Sequence, residues 1–284
     1  MKIVSLLRLA LTTSAVWATA HFASAQNIWL VDPGTVAVTP SYTQQWYDEF
    51  YAGTVLMPLP ADITQRTETV RFDYGLAPRF ALDLSLGYTE VKFNPPGANF
   101  TRSGRDDFHL GLTYALLEES ATTPALTLRI GGILAGGYSV PTTLPPINPG
   151  DGADGIEVSL AAGKAFAEHY AVYGELGYRW RNHDVPEDIF GSAGVSARFG
   201  GWGFNVGYRH TQGLSGGDIG GTGFGTAFGF PQVKEISKFV EEGISFSDAG
   251  GRSYQLVVGE SVGVVRNSGR ATVVNVSISL PFHR

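Results

Sequence analysis

The chain has 284 residues, 37 glycines, no cysteine and a formal net charge of -6. The absence of cysteine excludes a disulfide framework, a thiolate metal site and a thiol nucleophile. The negative charge argues against binding to nucleic acid or to an anionic membrane surface. The length suits one large all-β domain or two small ones.

The first 25 residues have the three parts of a secretory signal peptide. Lys2 and Arg8 precede an apolar run over residues 9–20, and Ala23-Ser24-Ala25 gives a small-residue cleavage site. The alternative is a membrane anchor, but the run is shorter than the roughly 20 apolar residues that a spanning helix needs. We therefore expect cleavage near Ala25, with a signal peptide at 1–25 and one domain at 26–284. Because the signal carries two basic and no acidic residues, the mature chain has a charge of -6 - 2 = -8.

From residue 36 onward, apolar and polar side chains alternate with the period of two that is typical of β-strands. The final stretch, 271–282, is one of the clearest examples. Short turns near residues 76, 120, 168, 201 and 250 alternate with generally longer connections near 55, 99, 147, 185, 222 and 267. Residues 48–62 and 213–232 are predicted to be loops. A weak strand over 235–247 is included because bacterial barrels have an even number of strands.

Aromatic side chains gather at the strand ends and form two belts. The belt near the short turns contains Tyr74, Phe80, Phe166, Tyr170, Phe199, Trp202 and Phe282; the other contains Trp46, Tyr88, Trp180 and Tyr208. Two aromatic belts and short turns at one end are typical of outer-membrane barrels, whereas a soluble β-sandwich does not need them. The sequence therefore predicts an all-β fold: an antiparallel up-and-down transmembrane β-barrel of about twelve strands, with ten or fourteen as alternatives.

Three segments resemble the outer-membrane proteins of the meta-pathway phenol-degradation family. They are RFDYGLAPRFALDLSLGY at 71–88, RDDFHLGLTYALL at 105–117, and the last hairpin with Arg266–Arg270 at its tip. The resemblance covers most of the mature chain, but its motifs are hairpin patterns that carry no chemistry. It implies a porin-like protein of a Gram-negative outer membrane that helps small, often hydrophobic or aromatic, molecules to cross.

Charged side chains collect on the strand faces that point away from lipid. They are Arg71, Asp73, Asp83, Asp107, His109, Arg129, Glu157, Glu175, Arg179, Arg181, Arg198 and Arg209. They fit either an ion network that fills the lumen or a charged constriction that selects solutes. Both interpretations can be true at once, since a barrel of twelve strands is intermediate in size between small barrels with a packed interior and open porins.

Two apolar patches lie in the predicted loops, and they form either a mouth for hydrophobic solutes or packing between loops. The loop-mouth residues are Val55, Leu56, Met57, Leu59, Phe224, Phe228 and Phe230.

The functions that remain open are passive uptake or efflux of small molecules, a closed structural or adhesion barrel, and an outer-membrane hydrolase. No serine has a histidine partner at a spacing that one strand face would bring together, so an enzyme is the least favoured. No catalytic residue, metal site or cofactor is expected, and GGTGFG at 220–225 lacks the strand and helix of a dinucleotide site.

The expected partners are outer-membrane lipid, a small-molecule solute and the barrel-assembly machinery, with no nucleic acid. The machinery would recognise the alternating residues of the last strand, namely Val274, Val276, Ile278, Leu280 and Phe282. The expected location is the cell outer membrane.

Overall fold

A computed structural model describes residues 28–138 and 147–283. The predicted signal peptide lies outside the described residues. Within them, the chain forms thirteen strands and a short 3-10 turn at Phe230–Gln232, and no described helix is long and apolar enough to cross a membrane. The strands are β1 Val36–Ala52, β2 Val55–Ala77, β3 Phe80–Phe93, β4 Phe100–Arg105, β5 Phe108–Leu117, β6 Ala125–Leu134, β7 Gly155–Phe166, β8 Tyr170–Arg181, β9 Asp188–Phe199, β10 Trp202–Gly213, β11 Ile236–Ser247, β12 Ser253–Ser261 and β13 Thr272–Phe282.

Twelve of these strands form a closed antiparallel ring. Each strand pairs with its neighbours in sequence, and β1 pairs with β13 to close the ring, from Val36 opposite Phe282 to Trp46 opposite Thr272. The remaining strand, β4, continues the line of β5: β3 pairs with β5 over Phe80–Ser85 and with β4 over Tyr88–Phe93. The predicted all-β barrel of twelve antiparallel strands is confirmed. Closure satisfies the backbone N–H and C=O groups that a sheet edge would leave unpaired.

The alternation in sequence places apolar side chains outside the ring and polar or small ones inside. On β7, Ile156 is 57% exposed and Leu160 is 48% exposed, whereas Glu157 and Ser159 between them are buried. Aromatic residues of both predicted belts are exposed on the outer surface, including Phe166, Trp202, Trp180 and Tyr208. The outer surface is therefore a continuous apolar band with aromatic rings toward both ends.

The two ends of the barrel differ, and we name them by their connections. The short-turn end carries the connections around Arg79, Glu168, Gly200 and Gly250. The long-loop end carries the described connecting residues 94–99, 135–138, 147–154, 214–235 and 262–271. Loop 214–235 is fixed at the long-loop end by the buried Asn267. Its side-chain amide nitrogen donates to the carbonyl oxygens of Gly217 and Lys234, and its oxygen accepts from the Ile219 N–H.

The prediction that residues 48–62 form a loop is wrong. β1 and β2 continue as a hairpin to a tight turn at residues 53–54, with Ala52 opposite Val55. Two prolines, Pro58 and Pro60, made this stretch read as a loop. They are tolerated because β3 pairs with β2 only from Ile63 onward. Along that edge, residues 55–62 have no described strand to which their backbone N–H groups must donate, so proline is acceptable there.

Residues 28–35, which precede β1, lie inside the ring at the short-turn end. Ile28 is buried against Ala125, Ala161 and Tyr173, whose side chains point inward from β6, β7 and β8. Those strands face β1 from the opposite side of the ring, so this segment crosses the lumen.

Candidate functional site

The middle of the ring encloses a cavity of about 510 Å³. It is lined from both sides of the barrel by polar side chains and by one phenyl ring, that of Phe190. Nine of the twelve charged residues predicted to face the lumen line this cavity: Arg71, Asp73, Asp83, His109, Arg129, Glu157, Glu175, Arg179 and Arg209. Four of these are arginines and four are carboxylates, so the lining is balanced in charge apart from His109.

Arg129 is the centre of the charged side of the cavity. It is only 4% exposed and donates from Nε and Nη2 to the two carboxylate oxygens of Asp83, at 2.9 and 2.8 Å. Its Nη1 donates to Glu157 on the neighbouring strand β7. A guanidinium with both edges occupied by carboxylates has a planar, fixed geometry, which holds β3, β6 and β7 in one register.

The network extends from Glu157 along the neighbouring strands. Arg179 on β8 donates to Glu157 at 3.2 Å and lies 3.7 Å from the carboxylate of Asp188. Arg181 donates to Asp188 at 3.1 Å, and His109 Nδ1 lies 4.0 Å from Glu157. The buried charges of this side are therefore paired with one another, as buried charges must be to offset their desolvation.

Glycines make the space that this network occupies. A Cβ atom at Gly111 would lie 2.5 Å from Arg129 Nη2 and from Asp83 Oδ1, and one at Gly131 would lie 2.9 Å from Arg129 Nη1. Both glycines are on strands that flank the guanidinium, β5 and β6. The network thus depends on small residues as well as on charged ones.

The other side of the cavity is lined mainly by hydroxyl and amide groups. They come from β1, β2, β10, β12 and β13 and belong to Thr39, Ser41, Thr69, Thr211, Gln255, Asn275 and Ser277. Asn275 donates to the Thr43 hydroxyl at 2.8 Å. Two charged pairs border this side. Arg71 donates to Asp73 on the same strand, β2, at 2.7 Å. Arg209 donates to Glu241 at 2.9 Å, and its guanidinium also lies over the Phe239 ring.

Phe190 projects an aromatic ring onto the cavity from β9. Its ring lies against Gly177 on β8, where a Cβ atom would be 2.2 Å from the ring carbon Cζ. The guanidinium of Arg179 stands over the same ring at 4.9 Å from its centre. Gly177 therefore lets Phe190 lie flat against the wall instead of filling the lumen.

Three of the predicted lumen residues lie away from the cavity. Asp107 is in the break between β4 and β5, where it accepts hydrogen bonds from the Tyr138 hydroxyl at 2.5 Å and from the Gly136 N–H at 2.9 Å. Arg181 is at the long-loop end of β8 and also donates to Asp151. Arg198 is near the short-turn end, beside Trp29 and His169.

The predicted loop-mouth residues occupy two kinds of structure. Val55, Leu56 and Met57 are exposed on the protruding end of β2, and Leu59 packs toward the cluster formed by Ile63, Val91, Phe93 and Ile147. The three phenylalanines pack on one another within loop 214–235. The ring of Phe224 makes edge contacts with Phe228 at 5.8 Å and with Phe230 at 5.0 Å.

Sequence reasoning missed Asp188 and Phe190 because they follow a proline-containing loop. The period of two, counted back from the outward Val195, would have placed both on the inner face. It also gave no weight to the hydroxyl and amide residues of the second side, which it treated only as the polar half of each strand. Among the residues that the structure describes, no group of three or more His, Asp or Glu side chains could hold a metal ion.

Comparison with known proteins supports the fold. No family model and no curated protein matches the chain. The structure is similar to that of an outer membrane channel from Pseudomonas putida F1, with a TM-score of 0.71, 14% identity, and coverage of 92% of this chain and 100% of the other. It is also similar to the translocator domain of the autotransporter NalP from Neisseria meningitidis, with a TM-score of 0.52, 10% identity, and coverage of 99% and 97%. The KdgM porin in complex with disordered oligogalacturonate gives a TM-score of 0.52, 10% identity, and coverage of 87% and 99%. At these identities the similarity establishes a shared barrel fold.

Proposed function

We propose that the protein is an outer-membrane channel through which small molecules cross passively. The observation that carries this proposal is a polar cavity of about 510 Å³ enclosed by a ring whose outer surface is apolar. Such a ring is stable in lipid because all of its strands are paired and its exposed side chains match the hydrocarbon.

The apolar band and its aromatic belts support an outer-membrane location. Exposed leucine, isoleucine and valine side chains cover the strands between the belts, and this surface would be costly to leave in water. The predicted signal peptide supports export across the inner membrane, with cleavage near Ala25.

The cavity lining supports small, narrow solutes. Its charges are balanced and largely paired, so the cavity gives no strong preference for either sign of ion. Resemblance to the phenol-degradation family supports hydrophobic or aromatic substrates. Phe190 in the lumen and the Phe224, Phe228 and Phe230 cluster at the long-loop end offer aromatic contacts to such molecules.

A closed structural barrel is the second candidate, because residues 28–35 cross the lumen at the short-turn end. This arrangement suits a barrel that does not conduct, or one that conducts only after the segment has moved.

The test is single-channel recording of the refolded protein in a planar bilayer, together with an Arg179→Ala variant. The variant removes a positive charge from the cavity wall beside Glu157, so we expect its reversal potential in a salt gradient to shift toward cation selectivity. The matched control is Arg252→Ala, which removes the same charge from an exposed turn where Arg252 pairs with Asp248. We expect it to leave selectivity unchanged.

The proposal is contradicted if neither conductance steps nor solute flux into liposomes occur. This outcome must hold both for the unmodified protein and for a variant without the Ile28 and Trp29 side chains. Equal shifts of the reversal potential in Arg179→Ala and Arg252→Ala would show that the cavity does not lie on the permeation path.

A further inference from the structure

Residues 28–31 place apolar side chains in the lumen at the short-turn end. Ile28 is 3% exposed, and Val31 is buried with Ala37 and Ala81 in a second cluster. Trp29 packs beside Ile28, and its indole N–H donates to Glu119 in the turn between β5 and β6, at 2.7 Å. These contacts span the ring, because β1 and β6–β8 are on opposite sides of it.

The barrel wall is shaped to receive this segment. Ile28 contacts Ala125 and Ala161, and a Cβ atom at Gly163 would lie 2.8 Å from Ile28 Cγ2 and 2.8 Å from the Trp29 ring. In the middle of the barrel, the inward positions on the same strands hold the large side chains of Arg129 and Glu157. The alanine and glycine positions of β6 and β7 thus leave room for the segment, which also packs against Tyr173 of β8.

The two halves of the segment are held in different ways. The Gly34 N–H donates to the Gly75 carbonyl oxygen at 2.8 Å, and the Gly75 N–H donates to the Thr35 carbonyl oxygen at 3.0 Å. A Cβ atom at Gly75 would lie 2.1 Å from the Asp32 carbonyl oxygen, so only glycine lets the backbones approach. Residues 32–35 are therefore fixed to the wall by their backbone, whereas residues 28–31 are held mainly by side chains.

We propose that residues 28–31 are a plug that closes the lumen at the short-turn end and leaves it when solute passes, with residues 32–35 as its fixed attachment. The inference rests on the proposed channel function, since a plug has meaning only in a barrel that conducts. It assigns the apolar segment a role in gating that its position before the first strand does not reveal.

The first arm of the test removes the side chains that seat the plug. Ile28→Ala with Trp29→Ala deletes the contacts to the β6–β8 wall and the hydrogen bond to Glu119, so we expect the open probability in planar bilayers to rise several-fold. The matched control is Val264→Ala with Leu176→Ala, which trims two exposed apolar side chains outside the lumen. We expect this control to conduct like the unmodified protein.

The second arm fixes the plug in place. Because the chain has no cysteine, an Ile28→Cys and Ala161→Cys pair can form one disulfide without competing thiols. We expect oxidation to abolish openings and solute flux, and reduction to restore them. Each cysteine variant alone should not respond to oxidant, and migration of unheated protein on a denaturing gel shows that every barrel is folded.

The outcomes separate the plug from the channel. Increased opening in the alanine variant and redox-dependent silence in the cysteine pair support the plug. Conductance that neither change affects overturns the plug and leaves the channel function standing. If the alanine variant does not fold, the oxidised and reduced cysteine pair decides alone, with openings unaffected by oxidation overturning the plug. Silence of every folded variant overturns both proposals.

Discussion

The two sides of the cavity solve the problem of a polar lumen in different ways. The charged wall, on β3 and β6–β9, carries Asp83, Arg129, Glu157, Arg179 and Asp188, which are bonded mainly to one another. The neutral wall, on β1, β2, β10, β12 and β13, presents mainly short hydroxyl and amide side chains, with the Arg71–Asp73 and Arg209–Glu241 pairs at its borders. The charged wall therefore fixes the shape of the ring, and the neutral wall offers hydrogen bonds to whatever the lumen contains.

This difference follows from the cost of burying charge. A buried ion is tolerated when its partners replace the hydrogen bonds of water, and each partner is then committed to the pair. Hydroxyl and amide groups carry no net charge and can exchange water for solute at small cost. Losing one group should thus be expensive on the charged wall and cheap on the neutral wall.

The largest effect is expected from Arg129→Met. The change keeps an unbranched side chain but removes the guanidinium that bonds both carboxylate oxygens of the buried Asp83, and it leaves Arg179 as the arginine bonded to Glu157. Removing one member of a buried ion pair typically costs about 3–5 kcal/mol. We expect a loss of this size in the free energy of unfolding, measured by urea denaturation of the barrel in detergent or lipid.

Arg209→Met is the matched control at the border of the neutral wall. The Arg209 side chain is 39% exposed and pairs with Glu241, so its removal should cost no more than about 1 kcal/mol, as for other solvent-accessible pairs. Similar losses of unfolding free energy for Arg129→Met and Arg209→Met would show that removing a charged group costs the same on both walls.

A smaller effect is expected where the charged wall carries its aromatic ring. Gly177→Ala places a methyl group where the Phe190 ring lies, 2.2 Å from Cζ, and should push that ring off the wall toward the lumen. Inserting a methyl group into a packed contact commonly costs about 1–3 kcal/mol. We expect single-channel conductance to fall as well, because the displaced ring narrows the cavity.

Gly174→Ala tests whether the effect belongs to the ring. Gly174 is on the same strand, but the nearest neighbour of its added Cβ is the Ser192 carbonyl oxygen at an ordinary 3.4 Å. We expect normal conductance in this variant. Normal conductance in Gly177→Ala would instead mean that the Phe190 ring moves without narrowing the permeation path.

Much of the barrel could be predicted from the sequence because lipid and lumen impose opposite demands on successive residues. Leu160 and Ser159 show the alternation directly, and the aromatic belts mark the two ends of the apolar band on each strand. Even the weak strand β11, inferred from parity, is present at Ile236–Ser247. Closure of the ring leaves little freedom once the strands and turns are known.

The parts that were missed lack this alternation. Residues 28–35 contain a run of apolar side chains before the first strand, and only the three-dimensional structure shows that they fold back into the ring. The hairpin over residues 48–62 was misread because Pro58 and Pro60 suggest a loop unless the free edge of β2 is known. The pairing of Arg129 with Asp83 depends on register across strands, which a single sequence does not contain.

The smallest effect concerns the long-loop end, where neither wall is involved. Arg266 donates two hydrogen bonds to the Asp218 carboxylate, at 2.7 and 2.6 Å, and so holds the pKa of Asp218 below its ordinary value. A lowered pKa means that the stabilisation is complete above the ordinary aspartate pKa of about 3.9 and is lost as the pH falls through the lowered value. We expect loop 214–235 to stay docked at neutral and mildly acidic pH, as measured by the hydrogen-exchange protection of the Ile219 amide. In Arg266→Gln the protection should begin to fall at a higher pH, whereas identical profiles in the two proteins would show that Asn267 holds the loop without help from the ion pair.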